Sequence, residues 1–139
     1  MTRFRGSAIA LAFAASAFVT TGGFVLLHAQ AKPVMTAKLI DADKKASQRS
    51  ATVEVTTSGV ELTDPALSNE KPVEGQGHLH YQLDKGPIVA TPTAKLSFHE
   101  LAPGPHTIVV MLAGNDHKPL GPQQQLTLTV PAQTQKASY

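Results

Sequence analysis

The chain has 139 residues and a formal net charge of +2, with 42% hydrophobic residues, 5% aromatic residues and no cysteine. This length fits one small domain and excludes an enzyme with a cleft between two lobes. The lack of cysteine excludes a disulfide framework, a thiolate nucleophile, a blue-copper centre and a cysteine-rich zinc site.

Residues 1–31 have the pattern of a signal peptide. Arg3 and Arg5 precede an apolar run over Ala8–Leu27, and Ala29-Gln30-Ala31 after it is the small-x-small pattern that a signal peptidase cleaves. We expect cleavage there and a periplasmic or secreted protein. Retention of the segment as a membrane anchor is the alternative, since about 20 apolar residues can span a bilayer. In both cases the rest of the chain lies outside the cytoplasm.

Residues 32–139 are formally neutral, because the two arginines are the only charged residues removed and 10 basic residues then stand against 10 acidic ones. A neutral domain has no general field that attracts phosphate backbones. Its aromatic residues are Tyr81, Phe98 and Tyr139, too few for the stacking platforms of single-strand binders. We therefore predict no nucleic-acid partner, and membrane contact only through an uncleaved N-terminal segment.

From residue 32 onward the sequence predicts an all-β domain. Residues 32–50 are interpreted as an edge strand followed by a loop, residues 51–131 as the core and residues 132–139 as a disordered tail. In the core, alternating or β-branched segments recur at intervals of roughly ten residues, separated by Pro- and Gly-rich turns, and none shows a helical period. This pattern predicts an antiparallel immunoglobulin-like β-sandwich of about six or seven strands.

Two predicted strands matter for function. The strand His78–Asp84 alternates, so His78 and His80 emerge on one face, about 6–7 Å apart. The strand that begins at His106 is apolar on both faces, which indicates a central strand. If the two pair antiparallel, the far end of the second strand brings His117 beside the first. His106 lies roughly 30 Å back along that strand and cannot join the same site.

These residues form a candidate metal site. His78, His80 and His117 are predicted to bind one ion, with Asp116 as a fourth ligand or an outer partner. Three imidazoles with an open position suit Zn(II) or Cu(II). Copper(I) storage is not expected, because residues 32–139 contain only Met35 and Met111, and Met111 lies in the central strand. The protein would buffer the metal or exchange it with a donor or acceptor protein of the cell envelope.

A different class of function remains open. The chain can instead be a structural or protein-interaction module of the cell envelope without metal, whose histidines shape turns and loops. On that interpretation His117 supports its Gly- and Pro-rich loop, and His106 closes the turn after Pro-Gly-Pro. An enzyme is not expected, because no nucleophile elbow or spaced carboxylate pair is present.

The segments VEGQGHLHYQLD and LAPGPHTIVVMLAGNDHKPLGP resemble a family of small exported bacterial immunoglobulin-like domains of unknown function. The resemblance covers about residues 73–131, and relatives often have three consecutive histidines where this chain has Leu79 between two. It implies an exported immunoglobulin-like domain but no activity. The positions that match the family pattern are His78, His80, Asp84, His106 and His117. The role we expect for His106 is then a hydrogen bond to Asp84 across the turn.

Overall fold

A computed structural model describes residues 31–67 and 71–133. Residues 1–30 of the predicted signal peptide and residues 134–139 of the predicted tail lie outside the described residues. Within the described part of the chain, no helix has the length and apolar character needed to cross a membrane.

The described residues form eight strands, one short α-helix and a 3₁₀ turn at Pro65–Leu67. In chain order the main elements are β1 (Val34–Ile40), α1 (Ala42–Ser47), β2 (Ala51–Ser58), β3 (Glu61–Leu62), β4 (Gln76–Leu83), β5 (Ile88–Thr91), β6 (Lys95–Phe98), β7 (Gly104–Ala113) and β8 (Gln124–Val130). One sheet has the order β1-β2-β6. The other has the order β3-β4-β7-β8, and β5 also pairs with β4.

The two sheets pack face to face around an aliphatic core, so the predicted all-β sandwich is confirmed. Alternation along the strands sends one set of side chains inward, and each fully buried Leu, Ile or Val contributes about 1.5–3 kcal/mol relative to an exposed position. The largest wholly buried apolar side chains are Leu79, Tyr81, Ile108, Val53, Val110 and Val130. Tyr81 also donates its hydroxyl to the carbonyl of Thr93 at 2.9 Å, which satisfies its buried polar end.

Two local predictions were wrong. The segment interpreted as a loop after β1 contains α1, whose six residues are too few to display a helical period in the sequence. The other concerns the expected antiparallel pairing, because β2 ends at Ser58. Two residues beyond this end form β3, which pairs parallel with β4, so the sandwich is not wholly antiparallel.

The pairing of β4 with β7 positions the candidate site. The two strands are antiparallel, with His78 opposite Ala113 and His80 opposite Met111. Strand β7 lies between β4 and β8, which confirms the prediction of a central strand. The end of β7, and the loop after it, therefore lie beside the start of β4.

Candidate metal centre

His78 and His80 lie on the face of β4 that points away from the core. Leu79 between them is fully buried among the core side chains, and the period of two in a strand then places both imidazoles on the opposite face. They are nevertheless shielded from solvent, with exposed fractions of 0% and 9%. Two ionisable side chains are thus held in a water-poor environment.

The third histidine comes from a tight hairpin loop that follows β7. His117 donates its backbone N–H to the carbonyl of Gly114 at 2.9 Å, and Gly114 donates to the carbonyl of Lys118 at 2.9 Å. Beyond the loop, Ala113 bridges to Pro119. A three-residue hairpin loop of this kind ends in a residue of left-handed conformation, usually glycine. Here that position is occupied by His117, with φ of 61°.

The left-handed backbone of His117 is a local strain. A residue with a Cβ in this region costs on the order of 1 kcal/mol or more, and such residues are concentrated at functional sites. Six non-glycine residues of the described chain have positive φ, and His117 is the one among them that belongs to the three-histidine group.

Asn115 ties the loop to the sheet. Its exposed fraction is 3%. Its side-chain amide donates to Oε1 of Gln76 at 3.2 Å, and its Oδ1 accepts from the hydroxyl of Thr63 at 3.4 Å. The sequence analysis did not single out Asn115, because an Asn after Gly looks like an ordinary turn residue and only its burial distinguishes it.

Gly77 allows the end of β7 to approach β4 closely. A Cβ at this position would lie 2.6 Å from the carbonyl oxygen of Ala113 and 3.1 Å from Cδ1 of Leu120. The first distance is far below van der Waals contact and involves backbone, which cannot move without shifting β7. The residue before His78 must therefore be small for the loop to lie over the histidines.

Three imidazole nitrogens meet at one point. Nε2 of His78 lies 2.9 Å from Nε2 of His80 and 3.1 Å from Nδ1 of His117, and the last two atoms are 3.2 Å apart. All three could bind one ion at the usual Zn–N distance of about 2.0–2.1 Å. The predicted trio His78, His80 and His117 is thus brought together, and its ligand atoms form a candidate metal group.

Hydrogen bonding alone cannot satisfy this triangle. A neutral imidazole nitrogen is either an N–H donor or a lone-pair acceptor, so at least two of the three atoms must be of the same kind. At least one of the three close contacts then joins two donors or two acceptors. A cation that receives all three lone pairs removes this conflict.

Burial keeps the β4 histidines neutral. Desolvation, and then positive charge on His80 and His117, lowers the pKa of His78 to about 4. Desolvation and then the charge of His117 lower the pKa of His80. Metal binding needs the unprotonated imidazole, and these two side chains therefore offer their lone pairs at neutral pH without first losing a proton.

Within the described residues, hydrogen bonds to the second ring nitrogen are missing for two of the three histidines. Metal-bound histidines usually donate their second nitrogen to a carboxylate or carbonyl. The Nδ1 atoms of His78 and His80 are buried and have no hydrogen-bond partner among the described residues. The two rings are therefore oriented by packing and by the loop rather than by polar partners.

Asp116, the predicted fourth ligand, is not part of the three-histidine group. Its Oδ2 lies 3.3 Å from Nζ of Lys118, and its Oδ1 accepts the backbone N–H of the same residue at 3.2 Å. The carboxylate is engaged within the loop, and its role as a ligand remains a prediction.

His106 lies at the other end of β7, as its sequence spacing from His117 indicates. Its Nδ1 lies 2.5 Å from Oδ2 of Asp84, and its Nε2 lies 2.7 Å from the carbonyl oxygen of Ala102. Both partners accept hydrogen bonds, so the carbonyl of Ala102 and then Asp84 favour the doubly protonated ring and raise the pKa of His106. Asp84 also accepts the backbone N–H of Thr107 at 2.8 Å. The expected hydrogen bond across the turn is present.

Comparisons with known proteins assign no family. No family model matches the chain, and no curated protein matches it. A solved structure described as the extracellular domain of a one-component system from B. thetaiotaomicron aligns with 16% sequence identity and a TM-score of 0.38. The alignment covers 60% of this chain and 10% of that one. A similarity of this size assigns neither a function nor a fold family to the chain.

Proposed function

We propose that this protein is an exported, non-enzymatic β-sandwich that binds one transition-metal ion, Zn(II) or Cu(II), through His78, His80 and His117. The observation that carries the proposal is the triangle of imidazole nitrogens, with edges of 2.9, 3.1 and 3.2 Å. Two ligands come from a paired strand and the third from a hairpin loop that Asn115 anchors. Ligands on rigid elements are ready for the ion before it arrives.

The chemistry of the donors favours a borderline metal. Imidazole suits Zn(II) and Cu(II), whereas Ca(II) and Mg(II) prefer oxygen ligands. Three protein ligands leave at least one position of a four-coordinate ion open. His117 is exposed whereas the other two histidines are buried, so the ion would enter and leave past this residue.

The surroundings support binding rather than catalysis. The cavity beside His80 has a volume of about 80 Å³, whereas pockets for small organic ligands usually have about 300–1,000 Å³. It is therefore too small for an organic substrate of that size. The N-terminal signal pattern favours a protein outside the cytoplasm, which would buffer a metal ion or exchange it with a donor or acceptor protein of the cell envelope.

Calorimetric titration of the purified protein with Zn(II) and Cu(II) tests the proposal. We expect one equivalent bound, and loss of that binding in the His78→Ala/His80→Ala double variant. His117→Asn is a milder test, because asparagine tolerates the left-handed backbone. His99→Ala is the matched control, since His99 is exposed at the end of β6, outside the cluster.

Two results would overturn the proposal: no binding to the wild-type protein, or equal affinities in the wild type and His117→Asn. Either would favour the structural or protein-interaction module, in which the histidines only shape the loop. In that case the double variant would change stability but not metal content.

A further inference from the structure

Met111 stands directly opposite His80 on the neighbouring strand. The register of β4 and β7 pairs the two residues, and directly opposed side chains share a face with Cβ atoms about 4.5–5.5 Å apart. Both residues line the same small cavity, which has a volume of about 80 Å³. The central position of Met111 thus brings its thioether beside a candidate ligand.

The neighbouring side chains on this face of the sheet leave room for Met111 to approach the three histidines. His78 faces Ala113, whose small side chain leaves room for the loop that carries His117. His117 therefore approaches from beyond the end of β7, and Met111 from two residues back along the same strand. The long unbranched methionine side chain adapts its three torsions to the space available, and it is half-buried here.

The charge of the cluster distinguishes between ions. The candidate group consists of three histidines without a carboxylate, and the nearby Asp116 is paired with Lys118. Two of the three histidines are buried, and burial makes an uncompensated charge costly, more so for a divalent ion than for a monovalent one. No ligand charge offsets the second charge of Cu(II) here, which favours Cu(I) when the metal is copper.

We propose that Sδ of Met111 is the fourth ligand and that the site takes copper, with Cu(I) as the preferred state. This inference rests on the proposed metal function. Thioether sulfur is a soft ligand that selects Cu(I), whereas zinc gains little from it. The small number of methionines does not exclude such a site, because one correctly registered thioether beside three imidazoles completes a four-coordinate sphere.

The test compares Met111→Leu with the wild type, using Cu(I) in competition with bicinchoninate under anaerobic conditions and Zn(II) in competition with a zinc chelator. Leucine has a similar volume, so the strand should keep its packing. We expect Cu(I) affinity to fall about tenfold or more and Zn(II) affinity to be retained. Met35→Leu is the matched control, since Met35 lies on β1 in the other sheet.

Copper K-edge absorption supplies an independent measurement. Wild-type protein loaded with Cu(I) should show one sulfur scatterer, and Met111→Leu should show only nitrogen or oxygen. Retained Zn(II) binding in this variant establishes that it is folded. If Cu(I) affinity and the sulfur scatterer are unchanged in Met111→Leu, the inference is wrong while the metal function stands. If the wild type binds neither ion, the proposed function itself fails.

Discussion

Nε2 of His78 and Nδ1 of His117 lie 3.1 Å apart although the residues are separated by 39 positions in the chain. The contact joins a buried strand to an exposed hairpin loop, and the loop reaches it only with His117 in the left-handed conformation. Glycine would take this turn position at a lower conformational cost, so the imidazole can be removed there without disturbing the backbone.

Replacing His117 with glycine should separate the conformational cost of the left-handed backbone from the contribution of the imidazole to metal binding. We expect His117→Gly to lose metal binding while the metal-free protein keeps its free energy of unfolding or gains about 1 kcal/mol, because glycine adopts positive φ without strain. Urea unfolding in a chelator measures this. Glu100→Gly, at another left-handed position, is the control and should keep full metal affinity. A clear loss of stability in His117→Gly would instead show that the imidazole supports the loop without metal.

A bound metal ion should raise the free energy of unfolding, and the increase should grow with the ratio of free metal to the Kd. An ion that binds only the folded state adds about 2.7 kcal/mol when its free concentration is 100 times the Kd. We expect Zn(II) to raise the melting temperature of the wild type and a chelator to reverse the increase. His78→Ala/His80→Ala should show no such shift, and His99→Ala should show all of it. An equal shift in the double variant would indicate that zinc binds elsewhere.

The pair of His106 and Asp84 should give stability a pH dependence. The carbonyl of Ala102 and then Asp84 raise the pKa of His106, so its contribution is complete below the unfolded value of about 6.5 and is lost as pH rises through the folded value. The N–H of Thr107 and then His106 lower the pKa of Asp84. Its contribution is complete above about 3.9 and is lost as pH falls through the folded value.

His106→Ala should therefore destabilise the protein most between about pH 4 and pH 6.5, by about 1–2 kcal/mol. The effect should shrink as pH rises through the raised pKa of His106. Urea unfolding at several pH values measures it, and metal affinity should not change because the pair lies at the far end of β7. An unchanged melting temperature at pH 5.5 would contradict the assigned role.

Asn115→Ala should weaken metal binding without removing a ligand. The substitution removes the amide partner of the half-buried side chains of Gln76 and Thr63. Thr63 keeps its hydrogen bond to the carbonyl of Gly77, so we expect a loss of about 1 kcal/mol of stability. The loop then holds His117 less firmly, and we expect affinity to fall about tenfold. Asp116→Asn, one position along, is the control for the loop. Loss of affinity in that variant would instead support Asp116 as a ligand.

Much of the candidate site follows from local patterns. Alternation around Leu79 put His78 and His80 on one face, and the apolar run after His106 marked a central strand. Antiparallel pairing of the two then brought His117 to the same place. The inferences about the strands succeed because a strand has a strict period of two, which short stretches of sequence display directly. Composition alone excludes thiolate chemistry, and it predicts no nucleic-acid partner.

The tertiary structure decided what depends on contacts between distant segments. Helix α1 is too short to show a period, and β3 finds its parallel partner only in the assembled sheet. Register is a property of two strands together, so no local pattern places Met111 opposite His80. The burial of Asn115 and the left-handed backbone of His117 likewise arise when the hairpin packs onto β4. The sequence determined which side chains could form the site, and packing determined where their atoms meet, because cross-strand distances are set by the whole sheet.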